Sequence, residues 1–222
     1  MNLKFNLSKL RFVIQLLYLI LFIFGLLSNP IIFLLIIISS IILGPVFCGW
    51  LCFVGFYQDV LRYIGSIFRK EPLVINENIQ KYLKYSRYLL LIGTVTLGGL
   101  FLFPSQVWFK FSQLVTGKVV IDLAFYSIVI LGLFSLVSNR LFCRYFCTFG
   151  AKLGLYGLFR VITINRDDSC ISCKCCAKTC LMGISVDTIN SLANPNCVNC
   201  LKCVEVCPKS SLKLGFRRYT NP

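Results

Sequence analysis

The sequence predicts a mainly α-helical integral membrane protein. Four transmembrane helices would form two parallel-repeat hairpins with interfacial helices beside them, and a small α+β domain would follow. Three observations predict this fold class: long unbroken runs of Ile, Leu and Phe, a short cysteine-containing phrase that occurs twice, and a C-terminal region dense in cysteine and poor in aromatic residues. We expect a membrane domain over 1–164 and a small domain over 165–222.

The apolar stretches define the predicted membrane domain. Hydrophobic residues make up 57% of the chain, and the mean hydropathy is +0.80. A helix needs about 20 apolar residues to cross a bilayer, and four stretches meet this requirement: 10–27, 30–47, 88–108 and 119–138. The segments 53–68 and 148–161 mix apolar residues at helical spacing with a few polar ones, which predicts two helices in the membrane interface.

The basic residues predict orientation. The net charge is +15, from 23 Lys and Arg against 8 Asp and Glu. Nucleic-acid binding is the other common reason for such an excess, but here the basic residues stand between apolar segments, where Lys and Arg set membrane topology. They are dense before the first stretch, between the second and third, and after the fourth. We therefore expect an inner-membrane protein with lipid as a partner, no nucleic acid, and both termini and the small domain on the cytoplasmic side.

Eight of the 13 cysteines form two runs of the pattern C-x2-C-x2-C-x3-C, at 170–180 and 197–207. This spacing holds one [4Fe–4S] cluster with three thiolates and sends the fourth to a neighbouring cluster, as in bacterial two-cluster ferredoxins. Structural zinc would show isolated C-x2-C pairs, and a disulfide framework belongs to oxidising compartments. We expect two clusters, with these ligands: Cys170, Cys173, Cys176 and Cys207 for the first, and Cys180, Cys197, Cys200 and Cys203 for the second. The chain has no histidine, which excludes His-ligated haem b and Rieske centres.

A second set of thiols lies in the repeated phrase. Phe47-Cys48-x3-Cys52-x2-Gly55 matches Phe142-Cys143-x3-Cys147-x2-Gly150. Positions i and i+4 of a helix share one face, and parallel repeats are related by an axis along the membrane normal. Cys48, Cys52, Cys143 and Cys147 are therefore expected to converge on a third, iron–sulfur centre. The alternative is a set of buried structural thiols. Cys175 lies outside the cluster register.

Catalytic residues are not identified by the sequence, which has no Gly-rich phosphate loop and no nucleophile paired with a base. Trp50, Trp108 and Tyr145 would suit a quinone ring, although interfacial aromatic residues are more often ordinary belt residues.

Two F-C-x3-C-x2-G phrases followed by a two-cluster ferredoxin segment resemble the NapH-type membrane polyferredoxins. Cys180-Leu-Met-Gly-Ile184 and Asn196-Cys-Val-Asn-Cys200 are also similar to that family's ferredoxin segment. The resemblance implies an electron-transfer protein, often linked to the quinone pool and working with a dedicated partner. The family usually has Pro where this chain has Phe53, Thr148 and Leu181, so the backbone around the preceding cysteines is expected to differ.

Three functions fit this pattern. The first is a membrane-bound electron-transfer subunit of an oxidoreductase, such as a quinol dehydrogenase, which passes electrons between a quinol or cytoplasmic donor and a partner oxidoreductase. The second is an assembly or metal-reducing factor that uses the same clusters to mature a partner metalloenzyme. The third is a redox or iron sensor, for which the sequence shows neither an output domain nor a DNA-binding motif. The first is favoured.

Overall fold

A computed structural model describes residues 7–24, 30–69, 77–96, 113, 117 and 123–217. The helices in this part of the chain are α1 Leu7–Ile23, α2 Pro30–Leu43, α3 Val46–Trp50, α4 Phe53–Phe68, α5 Glu77–Thr96, α6 Leu123–Ser135, α7 Leu141–Tyr145, α8 Thr148–Tyr156, α9 Cys175–Thr179 and α10 Lys202–Glu205. Two 3-10 turns cover Gly157–Phe159 and Val186–Thr188, and two strands are β1 Ile162–Arg166 and β2 Leu212–Phe216. The structure is thus helical with one small sheet.

The prediction of four transmembrane helices is wrong for these residues, because no single helix among them is both long and apolar enough to cross a membrane. One bent pair, Leu34–Leu43 with Val46–Phe68, meets the two criteria only when its members are counted together. The apolar run 30–47 is interrupted because Gly44 is left-handed, with φ 78°, and Pro45 has no N–H to continue α2. The segments 25–27, 97–108 and 119–122 of the predicted spans lie outside the described residues.

The remaining predicted helices have different outcomes. The helix predicted over 53–68 is confirmed as α4, and the segment predicted over 148–161 forms α8 followed by the 3-10 turn. Their location in a membrane interface stays a prediction. So does the division of the chain into domains at 164 and 165.

The chain forms two compact units, and each unit contains residues from both sequence repeats. Unit 1 contains residues 1–52 and 153–222, and unit 2 contains residues 53–152. Unit 1 therefore combines the first phrase, up to Cys52, with the chain that follows the second phrase. Unit 2 combines the second phrase with α4, which follows the first. Each copy of the phrase thus packs with a segment that its own repeat does not supply.

Unit 1 positions the C-terminal cysteines. β1 pairs antiparallel with β2, in a register from Ile162 opposite Phe216 to Arg166 opposite Leu212. The middle of β1, with Thr163 and Ile164, is buried. Helix α2 contacts α3, β1 and the 3-10 turn at Gly157, while α9 contacts α10. The sheet and the apolar helices together form the support on which the two cysteine runs lie.

Unit 2 is held by close packing of α4 on α6. A Cβ added at Gly65 would stand 1.9 Å from the carbonyl oxygen of Leu136, so only glycine allows this approach. The same carbonyl accepts a hydrogen bond from Arg62 Nη1 at 2.9 Å. Helices α5 and α6 both contact α7, which carries Cys143 of the second phrase.

Candidate functional site

The two cysteine runs fold in the same local conformation. Ser172 and Asn199 stand two residues after the first cysteine of each run and have φ 52° and 50°. Lys174 and Leu201, two residues further on, both have φ 58° and ψ 8°, and each caps a short helix, α9 or α10. Left-handed conformations are unfavourable for residues with a side chain and persist only where the surrounding structure demands them. Both runs are therefore built to one required shape.

The first cavity collects cysteines from both runs. Its wall includes Cys170, Cys173 and Cys176 from the first run and Cys207 from the second, together with Cys175. The cavity has a volume of about 380 Å³, part of which is open to solvent. Cys173 is exposed and Cys176 is buried, so this cavity lies near the surface of unit 1.

The second cavity has the reciprocal composition. Its wall includes Cys197, Cys200 and Cys203 from the second run and Cys180 from the first, in a volume of about 330 Å³. The rest of the wall is mainly apolar, with Ile164 and Leu192 both buried. Cys197 and Cys203 are also buried, so the cysteines of this cavity are less exposed than those of the first.

The donor set of each cavity suits an iron–sulfur cluster. Among the described residues, no three His, Cys, Asp or Glu side chains approach closely enough to hold one metal ion. A tetrahedral zinc site would need its sulfurs within about 2.3 Å of one centre. A four-iron cluster takes one thiolate at each iron, so its four sulfurs stand further apart around a larger body. Four soft thiolates in one cavity match that requirement.

Burial dominates the electrostatics of the second cavity. It raises the pKa of Cys180 to about 11, with a further contribution from the charge of Cys200. It also raises the pKa of Cys203, and the charges of Cys200 and Cys197 add to that rise. Iron would compensate this crowding of negative charge. The electrostatic interaction of Cys180 with Cys200 and Cys197 agrees with the position of all three in one cavity.

Cys180 lies at the position where the resemblance predicted altered geometry. Leu181 replaces the family's proline and is buried, 4% exposed. The Ile184 N–H donates to Cys180 Sγ at 3.4 Å, and the Cys180 N–H donates to the Ala177 carbonyl at 3.2 Å. Leu181 is therefore a core residue, and Cys180 lines the second cavity although the proline is replaced.

Helix α3 packs directly on the loop of the second cysteine run. A Cβ added at Gly49 would stand 2.3 Å from the carbonyl oxygen of Val198. Trp50 Nε1 donates to the Asn199 carbonyl at 3.0 Å, and Asn199 Nδ2 donates to the Leu43 carbonyl at 3.0 Å. The first phrase therefore packs against the loop that carries Val198, a residue of the wall of the second cavity. Sequence reasoning missed this contact, although the glycine at a position where the repeat has Arg144 was a signal.

The two C-x3-C phrases have the same local backbone. Phe47 O accepts from the N–H groups of Leu51 and Cys52, both at 2.9 Å. In the second phrase, Phe142 O accepts from Phe146 and Cys147 at 2.9 and 3.0 Å. Because α3 and α7 end before the second cysteine, the two sulfurs of each phrase do not share a regular helix face, as the i, i+4 argument had assumed. The shared backbone indicates that the phrases are structural repeats.

The second phrase is held by polar side chains of α4. Gln58 is buried, its Nε2 donates to Cys143 Sγ at 3.2 Å, and its Oε1 accepts from the Phe142 N–H at 3.1 Å. Arg140, 1% exposed, makes a double contact with Asp59, Nε to Oδ1 at 2.9 Å and Nη2 to Oδ2 at 2.6 Å. These bonds fix the residues that precede and include the first cysteine of the phrase.

The other thiols of the phrases have distinct surroundings. Cys147 Sγ accepts from the Gly150 N–H at 3.2 Å. Cys48 and Cys52 are buried in unit 1, 8% and 6% exposed. Since one pair belongs to unit 1 and the other to unit 2, the convergence of all four sulfurs stays a prediction.

The comparisons with known proteins agree with this chemistry. The profile of a family described as "4Fe-4S binding domain" (Fer4_5) matches residues 25–71 and 123–165. These two segments contain the C-x3-C phrases and do not include the cysteine runs at 170–207. The matched segments thus coincide with the two sequence repeats.

Individual relatives cover most of the chain. An uncharacterised protein of Methanocaldococcus jannaschii, MJ0750, is 30% identical over 82% of this chain and 76% of its own length. YccM of Escherichia coli, named for electron transport, is 32% identical over 79% of this chain and 52% of its own length. The ferredoxin-type protein NapH of Haemophilus influenzae is 23% identical over 82% of this chain and 67% of its own length. The chain thus spans about half of YccM. No solved structure matches the chain.

Cysteine-lined cavities and these relatives define an iron–sulfur protein of the electron-transport class. The chain belongs to the NapH-type polyferredoxin family. This confirms the family resemblance that the sequence motifs predicted.

Proposed function

We propose that this protein carries two [4Fe–4S] clusters and passes electrons between a quinol or cytoplasmic donor and a partner oxidoreductase. The observation that carries the proposal is the composition of the two cavities, each lined by four predicted ligand cysteines, three from one run and one from the other. Two adjacent clusters suit one-electron relay, for which the clusters supply the redox chemistry.

The protein residues hold and insulate the clusters. Cys170, Cys173, Cys176 and Cys207 hold the first, and Cys180, Cys197, Cys200 and Cys203 hold the second. The left-handed turns in each run curl the backbone so that three thiolates face one cavity. Cys173 of the first cavity is exposed, which supports an electron exchange there with a docking partner, whereas Cys197 and Cys203 of the second cavity are buried beside apolar side chains.

The four phrase cysteines form the proposed third centre. Support comes from the identical backbone bonds of the two phrases and from their coincidence with the segments matched by the 4Fe–4S family profile. The Gln58 and Gly150 donors to sulfur supply hydrogen bonds of the kind that stabilise thiolate ligands. A centre at this position would exchange electrons with the second cluster, since α3 contacts the loop of that cluster.

The proposed location is the inner membrane, with the cluster-bearing segment on the cytoplasmic side. Helix α1 supports lipid contact, because it buries Arg11 and Gln15 and exposes Val13 and Leu17, 58% and 54%. Burying the polar side chains and exposing the apolar ones is the reverse of the pattern in an ordinary globular helix.

Anaerobic purification followed by iron and sulfide analysis tests the cluster number. Two clusters require about eight irons per chain, and a third centre would add to them. Reduction by menaquinol in place of dithionite, followed by EPR, tests whether a quinol can serve as donor. The matched variants are Cys203→Ser, which should remove the second cluster, and Cys175→Ser, which should retain both. A chain with zinc and no acid-labile sulfide would contradict the proposal.

The quinol experiment has a second decisive outcome. Clusters that dithionite reduces and menaquinol leaves oxidised, at every ratio of quinol to quinone, would eliminate the quinol donor and leave the cytoplasmic donor. Substitution of one phrase cysteine, Cys143→Ser, should lower the iron content below that of the wild type if the four phrase cysteines bind a third centre. An unchanged iron content would rule that centre out.

A further inference from the structure

Arg160 is a fully buried cation close to Cys197, one of the cysteines that line the second cavity. The residue lies between the 3-10 turn at Gly157 and β1, and it is 1% exposed. Within the part of the chain that the structure describes, no carboxylate pairs with it. A buried charge without a counter-charge is costly. Its retention therefore calls for an anion other than a carboxylate.

The guanidinium is fixed beside Cys197 by a shared acceptor. Nε donates to the Gly157 carbonyl at 2.9 Å, and Nη2 donates to the Asn194 carbonyl. That same Asn194 carbonyl accepts from the Cys197 N–H at 2.9 Å. The guanidinium and the backbone N–H of Cys197 therefore donate hydrogen bonds to the same oxygen atom.

The third nitrogen has no hydrogen-bond partner among the residues that the structure describes. Nη1 is buried without one, and it faces Gly44, where an added Cβ would stand 3.2 Å away. Gly44 thus leaves the space that the guanidinium occupies.

We propose that Arg160 is the buried counter-charge of the second cluster and raises its reduction potential above the value that its apolar cavity would otherwise impose. The inference rests on the proposed function, because it requires a cluster in that cavity. Reduction adds one negative charge to the cluster, and an apolar environment disfavours that charge. A cation held close by in a region of low dielectric constant favours the reduced form. Arg160 is accordingly a tuning residue and not a ligand.

An EPR-monitored redox titration of the full-length protein tests this role. In Arg160→Met, the reduction equilibrium constant of the second cluster should fall at least tenfold, which is about 59 mV for a one-electron step. The first cluster should keep its midpoint. Arg160→Lys retains the charge and should stay closer to the wild-type potential. Lys213→Gln removes one charge at the surface, where its side chain is 69% exposed, and should leave both midpoints unchanged because water screens it.

The outcomes separate a charge effect from a structural one. Loss of the second cluster in Arg160→Met supports the counter-charge if the cluster of Arg160→Lys keeps the wild-type midpoint, because lysine retains the positive charge but cannot reproduce the paired contacts with the Gly157 and Asn194 carbonyls. Loss in both variants, or unchanged midpoints in Arg160→Met, overturns it, as does an equal shift of both clusters. Failure of the proposed function looks different, because wild-type protein would then show no second cluster at all.

Discussion

Substitution of Gly49 by alanine tests the contact between α3 and the loop of the second cysteine run. The new Cβ would stand 2.3 Å from the carbonyl oxygen of Val198, closer than non-bonded atoms approach. No rotamer can relieve this clash, because a Cβ and a backbone carbonyl are both rigid. Either α3 or the loop of Val198 must move, and the Trp50 to Asn199 hydrogen bond must lengthen with it.

The expected cost follows from two opposing effects. Overpacking a close contact destabilises by up to about 3 kcal/mol, while alanine in place of glycine in a helix recovers about 1 kcal/mol. We expect Gly49→Ala to lower the free energy of unfolding by about 2 kcal/mol from this difference. The moving loop carries Cys197 and Cys200, so the EPR signal of the second cluster should also broaden or shift.

The assay is denaturant unfolding of the anaerobically purified protein, combined with EPR of both clusters. Gly150→Ala is the matched control: its Cβ would meet Cys147 Sγ at 3.5 Å, an ordinary contact. That variant should be as stable as the wild type or slightly more stable. If Gly49→Ala behaved like Gly150→Ala in stability and in the signal of the second cluster, the contact argued here would be refuted.

Three further changes test other parts of the structure. Cys207→Ser should alter the EPR signal of the first cluster and spare the second; an effect confined to the second cluster would refute the crossed ligands. Asp59→Ala should lower the free energy of unfolding, measured with denaturant, by about 3–5 kcal/mol, because the buried Arg140 loses the Asp59 carboxylate. The double change Asp59→Ala/Arg140→Met should recover part of that loss. If the double variant were no more stable than the single one, the buried ion pair would not be the cause. Oxidative removal of the clusters with ferricyanide and EDTA should expose residues 167–210 to proteolysis, since metal binding stabilises small domains, and an unchanged digestion pattern would contradict this.

The sequence by itself determined the chemistry of this protein. The spacing within each cysteine run is a local property, and it predicted two clusters with crossed ligands. The structure brings cysteines of both runs to each of two cavities, and the ligand sets themselves stay a prediction. The helix over 53–68 was also predictable, because its periodicity belongs to one continuous segment. The prediction of membrane spans from apolar composition was less reliable. The run 30–47 is apolar throughout, but composition does not show that the helix ends before Gly44 and Pro45, inside that run.

The tertiary structure alone decided which segments meet. Each unit joins one phrase to the chain that follows the other phrase, a pairing that no local periodicity encodes. The same holds for Arg160, which the sequence presents as one more basic residue after an apolar stretch and which the fold buries against the carbonyl that also binds Cys197. Gly49 acquires its role only because the Val198 carbonyl approaches it. Ligand spacing lies within a single stretch of chain, whereas these contacts depend on how distant stretches pack, and packing is settled only by the whole fold.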